Sequence, residues 1–447
     1  MDNRQATLEL GTKPVGKLLW QYALPAIIAM TAASLYNIID RIFIGQIVGP
    51  DAISGLAVTF PFMNLAGAFG AAVGVGASTS ISVRLGQKDY ASAENILGNT
   101  ITLNLIIGIA FSIICLIFLD PILRFFGASD ATIPYAKDFM VIILAGNVFS
   151  HMYFGMNAVL RAASKPRHAM MATIFTVIMN ILLDVVFILW MKWGIKGAAF
   201  ATIISQMLAL CWQMKLFSNK QEILHLKKGI YKLKSELVKT IISIGISPFL
   251  MNVCACIVVI FVNNQLVHFG GDMAVGAYGI SNSIGMIFVM FCMGLNQGMQ
   301  PIAGYNYGAQ NTDRVMRVLN LSIIGATCIM TTGWLIAMFF PDLIARMFTT
   351  DKTLIEHSIT AIRFNLLVFP IIGFQMVITN FFQCIGKVKI SIFLSLSRQL
   401  LLLIPLLAIL PIFFEITGVW AALPVSDFLA ALIALIVMAK YMKKIKN

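Results

Sequence analysis

The chain reads as an all-α integral membrane protein: twelve transmembrane helices in two six-helix bundles, related by pseudo-two-fold symmetry about the membrane normal. Three observations predict this. Of the 447 residues, 59% are hydrophobic and only 11% are charged, against about 25% charged in a water-soluble domain. The apolar residues fall in runs long enough to cross a bilayer as helix, about 20 residues or more, not in the alternating ten-residue segments of an outer-membrane barrel. The second half of the chain also repeats the first, at an offset of 221–222 residues.

The spans are expected at about 18–45, 52–82, 94–118, 131–160, 168–191, 197–217, 241–268, 274–303, 315–340, 353–384, 390–413 and 416–439. Several exceed the bilayer minimum, which predicts tilted or protruding helices. No short apolar core followed by a small-residue cleavage site marks a signal peptide, so the first span is expected to stay in the mature protein. The net charge of +13 follows topology, not a nucleic-acid surface. Most of the Lys and Arg residues lie on one set of ends, among them Arg84, Lys88, Arg161, Lys165, Arg167, Lys227, Lys232, Arg314, Lys387 and Lys443. The opposite loops hold few, such as Arg124, Lys192 and Lys352. That asymmetry is the positive-inside pattern. It places both termini and the 218–239 loop in the cytoplasm of a cell bounded by this membrane.

The duplication organises the rest. Gly49, Pro50 and Asp51 match Gly270, Gly271 and Asp272; Arg84 to Gln87 fall on Asn306 to Ala309; Phe126 matches Phe348; Lys165 falls on Lys387; Gly197 and Ser205 fall on Gly418 and Ser426. Six spans return the chain to its starting side, so both halves share one orientation and a cleft between them is expected. The division is an N-terminal bundle at 1–217, a basic linker at 218–239 and a C-terminal bundle at 240–447. No segment is large enough for a soluble enzymatic domain.

Prolines interrupt the spans. Pro25 in the first, with a titratable residue further along the same helix, is the candidate hinge; Pro248, Pro370, Pro405 and Pro424 read as static kinks. Glycines crowd the second span (Gly67, Gly70, Gly74, Gly76) and the eighth (Gly294, Gly298), a spacing that lets helices approach closely within one chain. The seven cysteines all fall in apolar spans without metal-ligand spacing and read as small packing residues.

Two carboxylates carry the chemistry. Asp184 lies in an apolar run, 170–191, that holds no cation, and Asp40 lies near the end of another, 18–40. Placing a carboxylate at membrane depth costs about 2.5–3.5 kcal/mol on insertion scales, so such residues mark ion or substrate paths. Asn180 lies one turn from Asp184, and Tyr36 and Asn37 lie one turn from Asp40. Both carboxylates are expected in the outer half at similar depth, with Thr202 joining from the sixth span. Such an oxygen set suits Na⁺ or a proton held on a buried, repelled carboxyl.

With these residues in view, the stretch Asn37-Ile38-Ile39-Asp40-Arg41-Ile42-Phe43-Ile44-Gly45, Pro25, and Asn180 to Asp184 resemble the multidrug and toxic compound extrusion (MATE) family, in its bacterial drug-efflux branch. The resemblance covers the whole chain. It implies a H⁺ or Na⁺ site at Asp40, Asn180, Asp184 and Thr202, and antiport of organic, often cationic, compounds by alternating access. Asn157 matches a polar family position in the fourth span. It further implies a multi-pass protein of the cytoplasmic membrane, working as a monomer on small drug-like substrates, with no cofactor beyond the coupling ion. One departure stands out: spans seven to nine hold no Asp or Glu away from their ends.

Phe60, Met63, Met286, Met290, Met293 and Gln297 could adapt a cavity to varied substrates, or simply pack. Asp427, near the middle of the twelfth span, is open between a structural hydrogen bond and a substrate counter-ion. Arg363 and Arg398 are expected to snorkel or to pair with an acid. A lipid-linked precursor flippase on a similar scaffold is the alternative function, and it would favour a basic cavity. An enzyme is disfavoured: no HExxH, catalytic triad or P-loop is present, and the five histidines are scattered.

Overall fold

The computed structural model describes the backbone of residues 3–44, 47 and 50–446, and within them the side chains of 7–36, 39, 40, 44, 47, 55, 56 and 58–444. Among these residues the secondary structure is helical throughout. Six spans make the first half. The first lies in Val15–Phe43, the second in Pro50–Gly86, the third in Tyr90–Ile117, the fourth in Ile133–Ala162, the fifth in Pro166–Trp190 and the sixth in Ile195–Phe217. In the second half Ser235–Gly308 is two spans that reverse at Gly271 (φ 64°), and Val388–Lys444 is two that reverse at Glu415 (φ 50°). The ninth is Thr312–Phe339, and the tenth is broken by a 48° bend between Lys352–Asn365 and Phe369–Cys384. Twelve crossings result, matching the sequence expectation.

Local signals set the ends. Asp89 caps the third span by accepting the Ser92 N–H at 3.1 Å, and Asp351 caps the tenth by accepting from Thr353 and Leu354, each satisfying N–H groups left open at a helix start. Proline opens the fourth and fifth spans, where its missing donor costs nothing. The first span runs unbroken through Pro25. Three details were not visible in the sequence pattern. Short helices at Leu119–Phe125 and Pro341–Phe348 follow the third and ninth spans. The stretch read as linker is helical from Ser235 onward. Wide π-turns occur at Val185–Trp190 and Ser397–Leu403.

The duplication is preserved in the backbone even where the residue types differ. Positive φ occurs at Lys88 and Gln310 (62° and 57°), at Ser164 and Gly386 (62° and 71°), and at Gly194 and Glu415 (57° and 50°). Each pair is related by the repeat offset. Contacts between the halves obey the same two-fold relation. A Cβ on Gly86 would fall 1.9 Å from Tyr305 O, and one on Gly308 would fall 2.1 Å from Val83 O; Val83 and Tyr305 are themselves repeat mates. Gly76 meets Ile241 and Gly245, and Gly298 meets Ala23. These are backbone-to-backbone approaches that no larger residue allows.

All of them lie toward the end that carries both termini. There the buried core is continuous across the halves, taking in Leu18, Ile81, Leu97, Met299, Val318 and Phe381. Toward the opposite end it divides in two. One part, with Phe62, Leu123, Phe139 and Ile188, belongs to the first half; the other, with Val262, Leu266, Leu407 and Trp420, belongs to the second. Large apolar side chains such as Ile106, Ile109, Ile113 and Ile117 stay exposed along one stripe of the third span, as a lipid-facing surface requires.

The glycine contacts yield a test. Gly308→Val puts a branched side chain into Val83 O, and overpacking of this kind costs about 1–3 kcal/mol. Its thermal unfolding in detergent is expected to fall by several degrees, whereas Gly279→Ala, with nothing within 4 Å of the added Cβ, changes it little.

Candidate functional site

The first, fifth and sixth spans meet around Asp184. Its residue is fully buried, as is nearly all of Asn180, and Thr202 and Asp40 are 7% and 8% exposed. The four-residue spacing puts Asn180 and Asp184 on one face of the fifth span. Oriented so that both ends of its amide are satisfied, Asn180 donates from Nδ2 to Asp184 Oδ2 at 2.9 Å and accepts the Thr202 N–H at Oδ1 at 3.1 Å. The Thr202 hydroxyl donates to Ala198 O at 3.0 Å. With that hydrogen committed, Thr202 accepts from the Tyr36 hydroxyl, 3.2 Å away. Tyr36 in turn lies close enough to Asp40 and Asp184 to feel both charges, and the two carboxylates act on each other.

One atom is left over. Asp184 Oδ1 is sealed from solvent and has no hydrogen-bond partner among the described residues. A buried, unsatisfied carboxylate oxygen needs an explanation, and a proton or a bound cation supplies one. The neighbours are an amide that turns its nitrogen to Asp184, two hydroxyls and a second carboxylate. Among the described residues no group of three or more His, Cys, Asp or Glu gathers, and nothing there resembles a zinc or iron site. The π-turn at Val185–Trp190 begins directly after Asp184; such turns re-aim side chains and recur at functional positions.

Other expected residues fall elsewhere. Asn37 lies outside the residues whose side chains are described. Asn157 is buried near the other end of the fourth and fifth spans, where it donates to Ala169 O at 3.0 Å and Thr173 Oγ1 at 3.3 Å. Phe60 and Met286 are exposed, while Met63, Met290 and Met293 are half-buried. Gln297 reaches across the halves to Met30 Sδ at 3.4 Å. Asp427 has a definite partner: Arg398 Nε donates to its Oδ1 at 2.6 Å, so the pair is neutral within the second half. Arg398 sits in the second π-turn. Arg161 was counted in the sequence only as a basic loop residue. In the structure its side chain turns inward to Asn157 Oδ1 at 2.5 Å.

With this geometry in hand, the comparisons with known proteins are specific. Residues 25–186 and 244–409 match the MatE family model, and the two matched blocks correspond to the two repeats. The chain therefore belongs to the MatE family, a class of membrane transporters and not of enzymes. It is 27% identical to the multidrug export protein MepA of Staphylococcus haemolyticus, over 94% of this chain and 93% of that one. A solved MATE multidrug transporter, DinF-BH in complex with a dye, superposes with a TM-score of 0.88 at 34% identity, covering 96% of both chains. An outward-facing multidrug resistance MATE transporter gives a TM-score of 0.93 over 98% of both chains at 24% identity, a likeness of fold.

The Arg398–Asp427 pair can be tested as structure. Arg398→Met strands a carboxylate that is only 10% exposed. Breaking a buried pair costs about 3–5 kcal/mol, and because Arg398 is 32% exposed solvent screening reduces this to about 1–3 kcal/mol. The double variant Arg398→Met, Asp427→Leu is expected to recover most of the lost melting temperature.

Proposed function

We propose that this protein is a secondary multidrug exporter of the cytoplasmic membrane, exchanging small organic compounds, often cationic, for H⁺ or Na⁺ by alternating access. The observation that carries this reading is the buried Asp184 Oδ1, which has no hydrogen-bond partner among the described residues and lies within electrostatic reach of Asp40. The relatives support the substrate class: one is a multidrug export protein, and another is a multidrug transporter holding a dye.

In this reading each residue has a role. Asp184 and Asp40 hold the cation, Asn180 fixes the Asp184 carboxylate through its amide, and Tyr36 and Thr202 complete the oxygen shell. With the basic end in the cytoplasm, the continuous core and the glycine contacts close the inner side, and the divided core leaves the cleft facing outward. A cation entering from outside neutralises the carboxylates, which removes their mutual repulsion and lets the first, fifth and sixth spans repack. The π-turn after Asp184 and the proline in the first span are the places where that repacking costs least. The two bundles, 1–217 and 240–447, then rock about the two-fold axis around a linker at 218–239. A single chain carries the whole machinery. The second half, whose Asp427 is neutralised by Arg398, takes no coupling ion.

Asp184→Asn keeps the volume and removes the charge. Efflux of a fluorescent organic cation from proteoliposomes, driven by separately imposed pH and Na⁺ gradients, is expected to fall to the protein-free rate, with membrane insertion intact. Transport at the wild-type rate would discard the reading.

A further inference from the structure

Two facing polar stripes run from the carboxylate pocket to the basic end of the first half. On the fifth span they are Asp184, Asn180, Thr176 and Thr173; on the fourth, Tyr153, Asn157 and Arg161. Three- and four-residue steps hold each set on one helix face. Hydrogen bonds tie the stripes together. The Tyr153 hydroxyl donates to Thr173 Oγ1 at 3.4 Å and has Thr176 within reach. Asn157 donates to the same Thr173, and Arg161 Nη1 donates to Asn157 Oδ1. Beyond Arg161, Lys165 pairs with Glu222 of the connecting segment at 2.5 Å, both side chains nearly buried. From Asp184 to Thr173 the fifth span rises about 16 Å, which carries the stripe through about half of a bilayer about 30 Å thick.

Arg161 is the unusual member. Its Nε is sealed from solvent and has no partner among the described residues, and the acceptor of its Nη1 is a neutral amide. A guanidinium with no acid beside it is costly inside a membrane bundle, and such residues mark function. Where arginine lines a polar pore it bars cations electrostatically.

We propose that these stripes are the route by which the coupling cation leaves Asp184 for the cytoplasm, and that Arg161 is the charge gate that holds the route shut. The inference rests on the antiport reading above and goes beyond it. The organic substrate crosses in the cleft between the halves, while the cation crosses inside the first half, so the two never compete for one exit. A proton leaves the carboxyl as H⁺ to water among the hydroxyls, and Na⁺ leaves as the intact ion; neither needs another reactant. The charged and titratable groups on this route are Asp40, Asp184, Tyr153, Arg161, Lys165 and Glu222.

The test uses the full-length protein in proteoliposomes without organic substrate, reading internal pH and ²²Na⁺ uptake under an imposed gradient. Arg161→Gln is expected to leak the coupling cation about tenfold faster than wild type, as loss of a charge barrier predicts, while Arg161→Lys stays tight. Thr173→Val, close in volume and unlike Arg161→Gln free of charge change, is expected to slow coupled efflux several-fold with substrate binding unaltered. Thr173→Val also decides the matter if Arg161→Gln does not fold. An Arg161→Gln protein as tight as wild type, or a Thr173→Val protein with wild-type turnover, would overturn the route. Wild type that shows no cation-driven efflux would instead overturn the antiport reading on which it rests.

Discussion

A buried carboxylate without enough partners is the constraint around which this molecule is built. Asp184 is buried, one oxygen held by Asn180 and the other without a hydrogen-bond partner among the described residues. Ionised and alone, it would cost several kcal/mol at membrane depth. The arrangement is stable only when a cation or proton completes it, or when the surrounding helices move to give it water. In the proposed antiport, that dependence links ion binding to conformation: a ligand shifts an equilibrium only by its differential affinity for the two states. Asp40, on a different span, brings a second carboxylate within electrostatic reach of the first.

In the proposed alternating access, the two-fold backbone contacts supply the other part of the switch. Gly86 with Tyr305 and Gly308 with Val83 are reciprocal, so one operation opens or closes both. Packed backbones of this kind have discrete arrangements and do not deform continuously. The core mirrors this, joined at the end bearing the termini and divided at the other. The pocket at Asp184 lies in the first half alone, and the Arg398–Asp427 pair leaves the second half without a free carboxylate there. The two halves share a fold and divide the chemistry.

Much of this was legible in the sequence, for identifiable reasons. Span number and the repeat follow from hydropathy and glycine spacing, because lipid forces backbone bonds into helices and close helix approach requires glycine. The grouping of Tyr36, Asn180, Asp184 and Thr202 followed from helical spacing and relative depth. Asp427 could not be assigned, because its partner lies 29 residues away on a neighbouring span and no periodicity connects them. Arg161 was misread as a loop charge for a related reason: a basic residue at a span end looks the same whether it points to water or back into the bundle. The π-turns left no trace, since one extra residue per turn does not disturb an apolar run. Asn157, matched on resemblance to a polar family position, lies toward the basic end of the bundle, where its bonds are to Thr173 and Arg161.

The most direct measurement is cation binding itself, without transport. Proton uptake and ²²Na⁺ binding would be titrated on the purified protein and on the Asp40→Asn, Asp184→Asn double variant. The account predicts a saturable cation site in the wild type that disappears in the variant, with the fold retained by circular dichroism. A variant that keeps the site unchanged would contradict it, because the ion would then be held somewhere other than these two side chains.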